Sequence, residues 1–244
     1  MRKLVLTGLV LCSTVVLCED IAHAAGGHRG HHAVKRLDTT PTDTEDDSWI
    51  LGLESNTYAD TVYLNPTVAY SGANNWDISI SSYNIPVYGG GAQNYEYDTY
   101  AAISKTFDIT KDISLVFGTQ NGTTLFPDSM QRWHNMDFSN GRYKLTNWLT
   151  VSGGVYFANK SLTTVANEVG FMSGFEMKLI PGTLHLQGDY MSGHTNVSGA
   201  EINLQWYATR QAQLYIGVIV PERDSGNEFA GVLGFNISTK DMLK

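Results

Sequence analysis

Ala200-Glu-Ile-Asn-Leu-Gln-Trp-Tyr-Ala-Thr-Arg-Gln-Ala-Gln-Leu-Tyr-Ile-Gly-Val218 reads as two strands joined by a tight turn. Ile202, Leu204 and Trp206 alternate with Glu201, Asn203 and Gln205, and beyond Thr209-Arg210 the apolar positions resume at Leu214, Ile216 and Val218. A period of two gives each strand one apolar and one polar face. The same alternation sets Trp76, Ile78 and Ile80 against Asp77, Ser79 and Ser81, and Leu184, Leu186 and Tyr190 against His185, Gln187 and Asp189. It returns at Phe229, Leu233, Phe235 and Ile237, and no segment sustains a capped helical period. The domain is all-β.

Twelve runs carry this pattern: 49–56, 60–71, 75–84, 94–108, 111–121, 130–139, 144–158, 166–180, 182–192, 198–208, 211–221 and 227–238. The sixth, around Trp133 and Phe138, alternates poorly; without the weaker runs the count would be ten. From the third run on, long polar connections (Ile85 to Tyr95, Asn121 to Met130, Asn159 to Ala166, Ser192 to Ser198, Pro221 to Asn227) alternate with tight ones (Thr110-Lys111-Asp112, Pro181-Gly182-Thr183, Thr209-Arg210). Long loops on one rim and short turns on the other describe an antiparallel up-and-down transmembrane barrel. A soluble sandwich has no reason to sort its loops. Trp49, Trp76, Tyr95, Tyr97, Phe107, Phe157, Tyr190, Trp206 and Phe229 fall at or near strand ends, where interfacial girdles lie. Uncharged faces such as Leu214, Ile216, Val218 and Val220 suit lipid, whereas water would find in them a very large apolar patch.

Composition agrees. Of 244 residues 16% are charged, below the usual share for a soluble domain, with 24 acidic against 16 basic residues and a net charge of −8. So acidic a chain has no basic stripe for phosphates, and no nucleic-acid partner is expected. Met1-Arg2-Lys3, the uncharged stretch Leu4 to Cys18 and Ala22-His23-Ala24 have the layout of a secretory signal peptide, residues 1–24, cut after Ala24. Both cysteines, Cys12 and Cys18, leave with it. Residues 25–47 form a polar leader too poor in apolar groups to offset its ordering entropy. Its His28, His31 and His32 could hold a borderline metal only weakly, and the leader reads as a solvated tail. The barrel is 48–244. No later segment has enough consecutive apolar residues for a membrane-spanning helix, so a chain that enters a membrane must close its backbone into a barrel.

The stretch quoted above, together with Ile103-Ser-Lys-Thr-Phe-Asp-Ile-Thr-Lys-Asp-Ile-Ser-Leu-Val-Phe117, resembles the strand–turn–strand units of porin-like outer-membrane β-barrel proteins of Gram-negative bacteria, and the resemblance covers about 48–238. It is architectural. Such barrels often end on an aromatic, whereas here Phe235 is followed by a tail ending Asp241-Met242-Leu243-Lys244. The resemblance implies an outer-membrane location and a channel for small solutes or ions, with membrane lipid as the surrounding partner.

With apolar faces outward, polar faces line the lumen. The richest wall combines Glu176, Lys178, His185, Gln187, Asp189, Glu201, Asn203 and Gln205, joined by Tyr207 and Tyr215, on adjoining strands whose opposite residues lie about 5 Å apart. These are the expected pore-lining residues, and their carboxylates predict a weak cation preference. A structural polar network is the plainer reading of the same wall. Two other functions compete: a non-conducting barrel whose loops serve adhesion or a partner protein, and a barrel enzyme acting on lipid. For the latter, His185 and Asp189 lie about 13 Å apart along one strand. His194 beside Ser192 and Ser198, and His134 near Asp137, form no specific motif. No catalytic residue, cofactor or metal site in the barrel is expected.

Overall fold

The structure is a computed structural model that describes residues 47–89, 97–125, 133–162, 166–194, 198–223, 225 and 228–243. The proposed signal peptide and all of the leader but Asp47, its three histidines included, lie outside them. Thirteen strand segments follow one another: β1 (Ser48–Thr57), β2 (Thr61–Gly72), β3 (Trp76–Tyr83), β4 (Ile85–Gly89), β5 (Tyr97–Thr110), β6 (Ile113–Leu125), β7 (Trp133–Lys144), β8 (Leu149–Ala158), β9 (Glu168–Ile180), β10 (Leu184–Met191), β11 (Gly199–Tyr207), β12 (Ala212–Pro221) and β13 (Ala230–Ser238). All pairings are antiparallel; they join sequence neighbours except that β2 pairs with both β3 and β4, β3 pairs with β5, and β1 pairs with β13 as well as β2, so the sheet closes. β3 and β4 both pair with β2 and form one stave interrupted at Asn84, whose φ of 62° bends the strand while its N–H donates to Asn65 Oδ1 at 2.9 Å. The barrel therefore has twelve staves, as the twelve runs predict. No helix among the described residues is long and apolar enough to cross a membrane.

Five short connections, at 73–75, 111–112, 145–148, 181–183 and 208–211, share one rim with the start of β1 and the end of β13. The longer loops share the other, together with one tight connection at 58–60. At the turn rim Asn74 and Asn75 adopt left-handed φ values of 63° and 59°, a conformation asparagine tolerates better than branched residues. The expected seventh strand is shortened at its start. Leu145 and Trp148 look strand-like in sequence, but Thr146 N–H donates to Leu149 O at 3.1 Å and closes a tight turn.

The register shows the tilt. A row of paired residues begins at Trp49 at the turn rim, passes through Tyr70, Ile78, Ile103, Thr119 and Asp137, and ends at Phe157 and Val169 at the loop rim. Crossing eight strands at right angles climbs the whole wall, as strands tilted about 45° require. Alternate residues of each strand face outward. Ile80, Ile216 and Leu233 are 59%, 61% and 61% exposed, values no water-facing β-protein accepts over a continuous belt. Near the turn rim the one outward base of the described strands, Lys105, lies over Trp76, its Nζ 5.1 Å from the ring centroid, and donates to Asn74 O. That is a snorkelling lysine in an aromatic girdle.

Candidate solute pathway through the barrel

Inward residues fill the barrel unevenly. Toward the loop rim Tyr83, Tyr100, Met136, Tyr156 and Met191 form a buried cluster, joined by Leu162 from the β8–β9 loop. Across from it Tyr58, Tyr63 and Ala230 pack with Ile219. Between these walls runs a cavity of about 290 Å³, lined from Ser48, Ile50 and Met242 at the turn rim to Met191 and Ser198 at the loop rim.

All eight residues of the expected wall point inward. β9 contributes Glu176 and Lys178, β10 His185, Gln187 and Asp189, and β11 Glu201, Asn203 and Gln205. The register sets His185 between Lys178 and Gln205, Gln187 between Glu176 and Asn203, and Asp189 beside Glu201. Gln187 Nε2 donates to Asp189 Oδ2 at 2.9 Å, Asn203 Nδ2 to Glu201 Oε1 at 2.5 Å, and Gln205 Nε2 to Gln187 Oε1. The amides thus orient the carboxylates from below.

Five of the eight, Gln187, Asp189, Glu201, Asn203 and Gln205, line the cavity. Glu176, Lys178 and His185 do not line it. His185 is buried with Nδ1 2.8 Å from Glu176 Oε1 and its ring against Tyr207, at a centroid separation of 4.8 Å. The Glu176 carboxylate is largely engaged there.

Sequence reasoning missed the lumen residues that other strands contribute. Glu54 of β1 is 1% exposed, accepting from Tyr215 OH at 2.9 Å and Asn65 Nδ2 at 3.2 Å. Asp77 of β3 accepts from Ser71 Oγ at 2.6 Å, and Arg142 of β7 lies within electrostatic reach of both Asp77 and Glu176. The signal was present for Asp77, on the polar face of an alternating run, but only closure brings β1 and β3 to the same lumen as β11. Among the described residues the cavity lining holds five carboxylates (Glu54, Asp77, Asp189, Glu201, Asp241) and one guanidinium, Arg142. Asp241 is also paired with Arg210 at 3.1 Å.

The histidines make other contacts than chain proximity suggests. His134 faces inward and Asp137 outward, since they are three apart on one strand. His134 Nε2 instead lies 3.1 Å from Thr124 Oγ1 and 3.9 Å from Asp98 Oδ1, while Nδ1 is 3.2 Å from Tyr100 OH. His194 sits at the loop rim with Nδ1 3.9 Å from Glu168 Oε2. Ser192 Oγ, its sequence neighbour, is bonded to Phe171 N–H, and Ser198 Oγ to Ser192 O. Among the described residues no group of three or more His, Cys, Asp or Glu could hold a metal ion.

No protein-family model matches the sequence, and no curated protein matches it. Solved structures do match the fold. The KdgM porin in complex with disordered oligogalacturonate superposes with a TM-score of 0.58 at 10% identity, covering 79% of this chain and 99% of that one. The NanC porin gives 0.56 at 10% identity over the same shares. The Escherichia coli outer membrane phospholipase A gives 0.49 at 12% identity over 81% of this chain and 97% of that one. The chain has the fold of the twelve-stranded porin-type outer-membrane barrel.

Proposed function

We propose that this chain is an outer-membrane channel for small hydrophilic solutes, exported on a signal peptide cut after Ala24, with a weak preference for cations and no enzymatic activity. The observation that carries the reading is the cavity along the barrel lumen, with five carboxylates and one guanidinium in its lining. In a low-dielectric lumen such an excess concentrates cations and repels anions. The KdgM complex holds oligogalacturonate, an acidic oligosaccharide. This lumen has the wrong sign for a polyanion, so a neutral or cationic solute suits it better. The tyrosine and methionine cluster toward the loop rim restricts passage to small species.

Reversal potentials of the purified barrel in a planar bilayer, across a potassium chloride gradient, test the proposal. A cation-preferring potential that fades as salt rises supports it, because the Debye length shortens. Anion preference would overturn the selectivity, and a silent, correctly inserted barrel would overturn the channel.

A further inference from the structure

We propose that the outward face of β6 and β7 docks a second copy of this chain within the membrane. The inference rests on the membrane-barrel reading above. Among the described strands the outward positions hold one carboxylate, Asp137, and two amides, Asn121 and Asn135, and all three lie on these two neighbouring strands. Thr119 and Ser139 complete the patch. Elsewhere the outward residues are mostly aliphatic and aromatic, with Lys105 and scattered hydroxyls such as Ser55, Ser82, Thr99, Thr123 and Ser173.

Depth follows from the register. In the row that climbs from Trp49 to Val169, Asp137 is sixth of eight, and Thr119 beside it is fifth. Over an apolar band about 25 Å tall, Asp137 lies about 7 Å inside the loop-side edge and Thr119 close to the midplane. Ser139 is the fourth of six residues in the row from Trp76 to Phe171 and is again near the middle.

Lipid offers these groups no donors. The Asp137 carboxylate is exposed, and the bond found for it among the described residues, from Asn135 Nδ2 at 3.5 Å, is long for a hydrogen bond. Asn135 Nδ2 is better placed on Asn121 Oδ1, at 3.0 Å, and Asn121 Nδ2 on Thr119 Oγ1, at 2.9 Å. A carboxylate left to hydrocarbon is costly, and such residues in membrane proteins face protein or water.

The occupant follows from the patch itself. It holds an acceptor-only group and, at neighbouring depths, amides and hydroxyls able to donate to it. A two-fold axis along the membrane normal brings equal depths of two copies together, setting the Asn121 amide of each copy, two residues nearer the loop rim than Thr119, level with the other's Asp137. The surface shape agrees. Outward Gly141 and Gly153 leave a shallow groove beside Leu115, Phe117 and Val155, and a Cβ on Gly153 would meet nothing closer than 3.9 Å. Phe117, 50% exposed, stands at its edge.

Disulfide trapping in isolated outer membranes tests this in a Cys12→Ser/Cys18→Ser background, where each variant carries one thiol. On oxidation, Ser139→Cys should give a species of twice the monomer mass, while Ile216→Cys, at similar depth on the far side, should stay monomeric. Adding Asp137→Leu to Ser139→Cys should lower cross-linking about tenfold, the change expected for losing one charged hydrogen bond, while the barrel remains inserted. An inserted barrel that stays monomeric, or cross-links equally at both sites, overturns the inference and leaves the channel reading standing. So does a product of another mass, or a dimer indifferent to Asp137→Leu. Recovery of the unmodified chain in the soluble fraction would instead overturn the membrane reading on which both rest.

Discussion

Arginine placed on the outward face should cost stability in proportion to depth, and the register supplies the depths. A row of paired residues runs from Leu149, at the turn rim, through Met177, Leu186, Leu204, Ile216, Leu233 and Ser55 to Leu64. Seven steps climb an apolar band about 25 Å tall, or about 3.6 Å per step, so Leu204 lies about 11 Å and Ile216 about 14 Å from the turn-side edge. Both are next to the midplane. Val218 belongs to another row, which starts at Ile113 and reaches Val218 after six steps and Gly231 after seven. It lies only about 4 Å from the loop-side edge. Leu204→Arg and Ile216→Arg should therefore destabilise the inserted barrel by about 2–4 kcal/mol each, roughly 30- to 800-fold in the folding equilibrium, and Val218→Arg by about 0–1 kcal/mol. Reversible guanidinium unfolding from phospholipid vesicles, followed by tryptophan fluorescence, measures all three. Equal costs at the three sites, or a larger cost at Val218, would refute the depth assignment. Tolerance at all three would refute the outward face itself.

Asp189→Asn/Glu201→Gln should move the cation-to-anion permeability ratio toward unity, while Glu176→Gln should move it less, because that carboxylate is held against His185 away from the cavity. Reversal potentials of the variants decide the order. Gly154→Ala should destabilise by about 1–3 kcal/mol in the same unfolding assay, because overpacked side chains displace backbone. Its Cβ would fall 2.0 Å from Ser139 O, whereas Gly153→Ala meets nothing closer than 3.9 Å and should be neutral. Mass spectrometry of the chain recovered from outer membranes should find its N-terminus near Ala25; an intact Met1 would refute the cleavage.

The period of two made the barrel legible because each strand is read by local contrast. Trp76-Asp77-Ile78-Ser79 states which residues face out with no knowledge of its neighbours, and the structure puts Trp76 and Ile78 outside and Asp77 and Ser79 at the cavity. What stayed hidden depends on closure. Tyr215 OH reaches Glu54 Oε2 across 161 residues of chain, and this contact exists only because β1 pairs with β13. No local pattern marks Glu54 as part of the same lumen as Glu201. The division of the wall into lining and backing residues was hidden for a similar reason: Glu176 and Glu201 look alike in sequence, and the imidazole of His185 draws the first aside.

One failure of the alternation carries information of its own. The sixth run reads poorly and its boundary shifts from 130–139 to Trp133–Lys144 because its outward positions are Asn135, Asp137, Ser139 and Gly141. Its pairing is regular over eleven positions with β6 and nine with β8, so the backbone does not share the irregularity of the side chains. A strand held this firmly has no structural need for polar groups facing lipid, and apolar residues there would lower the free energy of the isolated barrel. The polar set is a cost to a lone copy and an asset to a paired one, and Asp137→Leu separates the two. It should stabilise a barrel that functions alone, and raise its unfolding midpoint, while in a dimer the lost contact offsets that gain at high protein-to-lipid ratio. A midpoint that rises equally at every ratio would show that β7 faces lipid after all.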